Sequence, residues 1–218
     1  CIMIHYIDWI HDNILDKNIK NIGLELSGGT DSACALYLLS QFFIQNKTSH
    51  RILPIHGYDE SRKHAYSVSA ARDVIDVIKK RIPNAPIDDM FIFAYHREIN
   101  EEKITKYHRP MIRFLLRDKR IDIHILGSTL EPEEKILKEN NMESIGRTPS
   151  LQRSQMGPFG LYRKRDIARL YQENDLMKDL FPVTISCVGD RKDLQPCKEC
   201  WWCKEKYDAF GMYDKEHV

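Results

Sequence analysis

The sequence predicts an α/β fold, a parallel sheet flanked by helices, with a four-cysteine module at its C-terminal end. Three observations carry that reading. Short apolar segments alternate with helical patterns between residues 21 and 126, a Ser-Gly-Gly-x-Asp-Ser turn joins the first strand to its helix, and Cys187, Cys197, Cys200 and Cys203 crowd one stretch. At 218 residues the chain is long enough to bury a core without disulfides. The expected organisation is an N-terminal helix over 1–20, one α/β domain over 21–182 and a cysteine-rich, metal-binding module over 183–218.

Residues 4–15 place Ile4, Ile7, Trp9, Ile10 and Ile14 at helical spacing, so an amphipathic helix precedes the sheet. Residues 22–26 form the first strand, 27–31 a glycine turn, and 32–45 a helix rich in Ala and Leu. A second strand follows over 51–56 and a helix over 61–81, stopped by Pro83 and Pro86. Residues 90–95 are apolar throughout, as a strand buried on both faces should be. The spacing predicts a helix over 110–120 with Pro110 in an early position, then a fourth strand over 122–126 stopped by Gly127. Strands alternating with helices require βαβ crossovers and hence parallel pairing. Residues 140–160 hold Gly146, Pro149, Gly157, Pro158 and Gly160 among polar side chains and read as a long mobile loop; 164–174 return to helix.

Sheets of this kind bind ligands outside the carboxyl ends of their strands. Three polar loops leave those ends, at 27–32, 56–61 and 127–134. In the first, Gly28 and Gly29 let backbone N–H groups turn onto an anion, and the helix behind them adds about half a positive charge. Ser27 and Ser32 offer hydroxyl donors. Asp31 repels a phosphate, so its task is to cap the helix, hold the turn or reach a magnesium ion bridging phosphates. A plain helix-capping turn uses the same residue types, but its place at the end of the first strand favours an anion cradle. Neither GxxxxGKS/T nor GxGxxG is present to compete with it.

In the tail, two Cys-x2-Cys steps share Cys200, and Cys187 lies upstream of Cys197. Four thiolates close a tetrahedral Zn2+ site with no position left for water, which makes such a site structural. The same residues suit an iron–sulfur cluster, and the spacing leaves both open. Trp201 and Trp202 either pack the module against the core or stack on a base.

Lys plus Arg total 33 and Asp plus Glu 32, so bulk charge draws the chain to neither nucleic acid nor membrane. Direct nucleic-acid binding is not expected. The longest apolar run, 33–39, is too short to span a bilayer, and no basic segment leads into an apolar leader, so a cytoplasmic protein is expected. Lys106, Arg109, Arg113 and Arg117 share a helical face that reads as solvated, except that Arg109, opening its helix, is a candidate for a phosphate or substrate carboxylate. Arg147 and Arg153 sit in the mobile loop and are candidates to close over a triphosphate or contact a nucleic acid, although a mobile polar loop carries such residues by default. His56, at the end of the second strand, reads more readily as a satisfied histidine than as a catalytic one. Cys1 reads as incidental and Cys34 as core packing.

The strand–SGGTDS–helix unit, over 21–127, resembles the pyrophosphate loop of the N-type ATP pyrophosphatases. The resemblance implies an adenine nucleotide α-hydrolase-like sheet, ATP with Mg2+, and cleavage between the α- and β-phosphates as a substrate oxygen is adenylated. It implies that Leu26, Ser27, Gly28, Gly29, Asp31 and Ser32 hold the phosphates and that His56 and Gly127 border the nucleotide. The Cys-x9-Cys-x2-Cys-x2-Cys tail is similar to that of the 7-cyano-7-deazaguanine synthase family, as is Tyr162-Arg163-Lys164-Arg165-Asp166-Ile167, which would set Lys164 at the phosphates. What this implies is conversion of 7-carboxy-7-deazaguanine to the nitrile with ammonia and ATP, Zn2+ on the four cysteines, and Asp31, Lys164 and Arg109 as catalytic residues. The chain departs from that family in carrying residues 1–20 ahead of the first strand, in His108-Arg109-Pro110 for a Gly-Arg-Asn segment, and in Glu131-Pro132-Glu133-Glu134 for an Asn-containing turn. Two alternatives are a tRNA-thiolating pyrophosphate-loop enzyme with iron–sulfur in the tail, and a zinc-knuckle nucleic-acid-binding module without catalysis. The oligomeric state is left open, a homodimer included.

Overall fold

The apolar strands pair side by side in one direction. In the computed structural model, which describes residues 2–59, 65–95, 104–188 and 195–214, β1 (Asn21–Glu25), β2 (Arg51–Asp59), β3 (Phe91–Tyr95) and β4 (Ile123–Leu126) form a parallel sheet in the order β3-β2-β1-β4. Leu24 stands in register with Pro54 on one side and Ile125 on the other. A proline removes a ladder donor and is unusual in a central strand. Here β3 pairs with β2 only from Ile55 onward, so Pro54 precedes that ladder.

The two faces of the sheet are filled differently. One face meets α2 (Thr30–Gln45), α3 (Ala65–Arg81) and α7 (Lys164–Glu173), with Ile22, Leu24, Ile52 and Ile125 packed among Leu36, Val74, Ile78, Leu170 and Tyr171. The other meets α4 (Ile104–Arg117), with Leu53, Ile55, Phe93 and Ile121 against Ile112 and Leu115. Because α2 is covered almost all round, it is apolar almost all round, as the Ala- and Leu-rich sequence requires. The N-terminal helix α1 (Ile2–Ile10) continues into a π-helical turn over His11–Leu15, and Tyr6, Ile10 and Ile14 bury their stripe in the same core. Among the described residues no helix is long and apolar enough to cross a membrane.

The structure corrects four local expectations. β2 runs on to Asp59, paired with Tyr95, so His56 lies within the strand instead of ending it. α4 begins at Ile104, which leaves Pro110 inside the helix and Arg109 away from its start. The side chains of Lys106 and Arg153 lie outside the described residues, as do Cys1 and residues 60–64 of the predicted loop and helix. The segment 140–160 is not a free loop. It follows α5 (Glu134–Glu139), contains α6 (Leu151–Met156), and buries Phe159 completely against Tyr6 and Tyr162, with ring centroids 5.9 and 5.7 Å away. Trp9 Nε1–H donates to Ser154 O at 2.8 Å and ties the segment to α1. Its polar composition hid one aromatic anchor, and that anchor decides its order. Finally, the tail carries α8 (Leu180–Val183) and α9 (Trp201–Phe210), the latter closed by left-handed Gly211, φ 70°.

Truncating the anchor tests this packing. Phe159→Ala should lower unfolding free energy by about 3 kcal/mol in urea titration, whereas Leu151→Ala, exposed on α6, should leave it nearly unchanged.

Candidate active site

A cavity of ≈ 610 Å³ opens at the carboxyl ends of β1, β2 and β4. Its floor is the turn after β1. Leu26 extends the ladder one residue, its N–H donating to Ile55 O at 2.8 Å, and the chain then turns through Gly28 at φ 82°. A Cβ at Gly28 would strike Ala70 Cβ at 2.9 Å, so the turn both needs positive φ and sits on α3. Gly29 caps α2 in an extended conformation, with no side-chain cap bond. The first N–H groups of α2 therefore have neither an intrahelical acceptor nor a capping side chain, which is the arrangement that attracts an anion. Ser27 Oγ and Ser32 Oγ lie 3.1 Å apart on the same floor, and Gly29 N–H reaches Ser27 Oγ at 3.3 Å. Gly127, at the end of β4, comes so close to α2 that a Cβ would lie 2.6 Å from Ser32 Cα.

Behind the floor stands a buried set of charges. Lys164, at the start of α7, donates to Asp31 Oδ1 at 2.6 Å, and its ammonium is 3.7 Å from Glu205 Oε2. Arg147 Nη2 donates to Glu205 Oε1 at 2.7 Å. Thr129 Oγ1 completes the set, donating to Asp31 Oδ2 at 3.2 Å. Burial pulls the Lys164 ammonium down, but Asp31 and Glu205 outweigh it and hold its pKa above the ordinary value. Burial pushes the Glu205 carboxyl up against the opposing pull of Lys164 and Arg147. Two cations and two anions share one poorly solvated wall, so neither sign is left in excess.

His56 is not free to catalyse. Its Nδ1–H donates to Leu26 O at 2.6 Å and its Nε2 accepts from Ser67 Oγ at 3.1 Å. Burial holds its pKa below 6.5, so the ring is neutral and braces the chain just before the turn.

The fourth wall is the cysteine module. All four Sγ atoms lie within 4.8 Å of one another, with Cys187–Cys197 at 3.5 Å and Cys197–Cys203 at 3.9 Å. This set can hold a metal ion. Bonds of about 2.3 Å to a single tetrahedral zinc place thiolates about 3.8 Å apart. In an iron–sulfur cube each thiolate sits on a different iron, which spreads the sulfurs farther. Cys187 also lines the cavity. The segment before it is stitched to the floor by Ile185 N–H, which donates to Gly28 O at 2.8 Å. Asp214 receives the N–H groups of Ser186 and Cys187, each at 2.9 Å, and Lys206 at 2.7 Å. Lys206 and Asp214 are 1% and 2% exposed, a fixed buried clamp.

The chain is similar in shape to three solved proteins at low identity. Over 81% of its length it resembles the U34-tRNA thiolase NcsA from Methanococcus maripaludis with its 4Fe–4S cluster, at 12% identity and a TM-score of 0.49, and it spans 64% of that chain. Over 98% it resembles NAD+ synthetase from Burkholderia pseudomallei, at 13% identity and a TM-score of 0.47, spanning 86% of that chain. Over 95% it resembles NMN synthetase from Francisella tularensis, at 11% identity and a TM-score of 0.46, again spanning 86%. No protein-family profile and no curated protein sequence matches it. The functional reading therefore rests on the geometry of the cleft.

Of the residues singled out from the sequence, Ser27, Gly29, Asp31, Ser32, His56, Gly127 and Lys164 line the cavity, and Gly28 shapes the turn beneath it. Leu26 does not line it; it is buried in the core and extends the ladder of the first strand. Arg109 does not line it and is exposed on α4, so the phosphate-facing role expected of it has no geometric support. Sequence reasoning missed Thr129, Ser186 and Glu205; it left Trp202 between packing and stacking, and discounted Arg147 as an ordinary residue of a polar loop. The polar 127–134 loop was a signal for Thr129. Glu205 and Trp202 sit on a helix that the cysteine-rich tail did not announce.

Two outcomes follow. The folded chain resists protonating His56, while the unfolded chain accepts a proton below 6.5, so stability falls as pH drops through that value. His50, also lowered by burial, adds to the same trend. His56→Gln should therefore melt with a visibly smaller drop between about pH 7.5 and pH 5.5 than the parent. Because Ile185 and Cys187 join the module to the floor, Cys200→Ser should lower both the melting temperature and the affinity for a non-hydrolysable ATP analogue, as read by calorimetry.

Proposed function

We propose that this chain is an ATP pyrophosphatase of the pyrophosphate-loop class. In this reading it adenylates the carboxylate of 7-carboxy-7-deazaguanine, lets ammonia displace AMP to give the amide, and activates that amide again to yield the nitrile. The observation that carries the reading is the uncapped Gly29–Thr30 start of α2, facing a large cavity and backed by the Lys164–Asp31 pair. Phosphates seated there meet backbone N–H groups, two hydroxyls and one ammonium.

The first step forms a bond between a substrate oxygen and the α-phosphorus and breaks the bond to the β-phosphate oxygen, whose electrons leave with pyrophosphate. Lys164 and the turn's N–H groups stabilise the charge that gathers on that leaving oxygen. Asp31, which lines the cavity while its oxygens accept from Lys164 and Thr129, would hold Mg2+, which would supply neutralisation of the phosphate oxygens. Ammonia then attacks the acyl carbon, and its proton passes to solvent. The second activation repeats the step on the amide oxygen, and loss of AMP with both protons of the amide nitrogen, which pass to solvent, leaves the nitrile. His56, neutral and held at both nitrogens, takes no part in these transfers.

Zn2+ is the proposed occupant of the four thiolates, on the strength of their close spacing. The same spacing tells against a thiolating enzyme, since the other described cysteine, Cys34, is fully buried in α2, where burial pushes its thiol up.

The test is direct. Purified protein with this acid, ammonium and Mg-ATP should release AMP and pyrophosphate, and native mass spectrometry should find one zinc per chain in a colourless sample. Asp31→Asn should cut AMP release by about a hundredfold or more. Acid-independent or absent AMP release removes the substrate assignment, and visible absorption from the cysteine cluster removes the zinc.

A further inference from the structure

Arg147 lies in the stretch that composition marks as loop, yet it stands on the cavity wall with a donor to spare. Its Nε is buried and has no acceptor. A buried donor without a partner costs about 1–3 kcal/mol, more when charged, unless a ligand supplies the acceptor.

The arginine is held firmly without that donor being used. Glu131 gathers the backbone before it: Ser144 Oγ–H donates to Oε1 at 2.7 Å, Ile145 N–H to Oε2 at 2.9 Å, and Arg147 N–H to Oε2 at 3.4 Å. Arg147 O in turn accepts from Glu131 N–H at 3.0 Å. The guanidinium lies over the Trp201 ring, 4.7 Å from its centroid, and gives Nη2 to Glu205. Loop, plane and one edge are all fixed. The same cavity is lined by the apolar Ile145, Val188 and Trp202, and Lys164 links Glu205 to Asp31 at the start of α2. The β2 side of the cavity, with His56, Gly57 and Tyr58, is the other lobe.

We propose that Arg147 anchors the acceptor substrate, a planar heteroaryl acid. Its Nε–H takes one carboxylate oxygen while the ring lies along Trp202, and the second oxygen is left facing the α-phosphate. This rests on the adenylating reading above and adds to it the residue that selects an acid over a neutral ring. An arginine on the cavity lining that is held through Nη2 by Glu205, with its Nε–H still unpaired, suits a carboxylate that arrives from the cleft and takes the buried donor as the side chain adjusts.

Two variants and two probes decide it. Arg147→Lys keeps a cation for Glu205 but loses Nε–H; Arg147→Gln loses the charge as well. Affinity for α,β-methylene ATP and for indole-3-carboxylate against indole-3-carboxamide is read by calorimetry, and KM for 7-carboxy-7-deazaguanine is read by AMP release. The expected result is that both variants weaken the two acids by about tenfold or more and leave the carboxamide within about twofold, while Arg147→Lys, which keeps a cation for Glu205, also keeps nucleotide affinity. If the Arg147→Gln variant does not fold, the lysine variant, checked by its melting temperature, carries the test. The proposal is overturned if the acids bind both variants as they bind the parent, or if nucleotide affinity of Arg147→Lys falls in step with acid affinity, which would give the donor to the α-phosphate. A parent that binds indole-3-carboxylate through Arg147 yet releases no AMP with the deazaguanine acid overturns the reaction and leaves the anchor standing.

Discussion

The cleft depends on one buried relay of charge, running from Asp31 through Lys164 and Glu205 to Arg147. Its four members come from α2, α7, α9 and the 144–147 segment, so a single electrostatic constraint draws together parts of the chain far apart in sequence. In a poorly solvated site, removing one member strands the charge of its neighbour, which is far more damaging than never having built the pair. The relay also sets what the cleft can receive. With cations and anions matched inside the wall, attraction for phosphate comes from the oriented amides of the turn and from Lys164, whose charge burial alone would have suppressed.

The cysteine module is more than a terminal ornament to this arrangement. Cys187 faces the cavity, Ser186 stands beside the Gly29 turn, and the Lys206–Asp214 clamp fixes both backbones. Tyr171 OH donates to Thr30 O at 3.1 Å, so α7 steadies the opening of α2 from below as the module does from the side. Order in the turn is thus assembled from two directions, and neither is local to the SGGTDS string.

That explains what was legible in the sequence and what was not. The strands could be read because each is a short apolar run between breakers, and the glycine turn because glycines and hydroxyls stand together at the end of the first strand, where sheets of this kind bind ligands. Lys164 was reachable only through resemblance, since a lysine opening a helix carries no signal of burial. Arg147 and Phe159 were lost inside a stretch whose average composition is polar; one aromatic ring and one carboxylate, Glu131, outvote that average. Arg109 looked promising because Pro110 was placed near a helix start, where a proline is well tolerated. The helix instead starts earlier and accommodates it, and the arginine turns to solvent.

The bond from Ile185 N–H to Gly28 O has a consequence for the sign of the field at the floor. A peptide between two glycines can rotate its plane at little steric expense, and a rotated unit would show a carbonyl lone pair to an incoming anion. With the Gly28 oxygen committed to the module, the trans geometry of the same peptide sends the Gly29 hydrogen the opposite way. The chain after α8 therefore keeps that dipole from reversing, and the polarity of the pocket is guarded by a segment that begins more than a hundred residues downstream of the turn it protects.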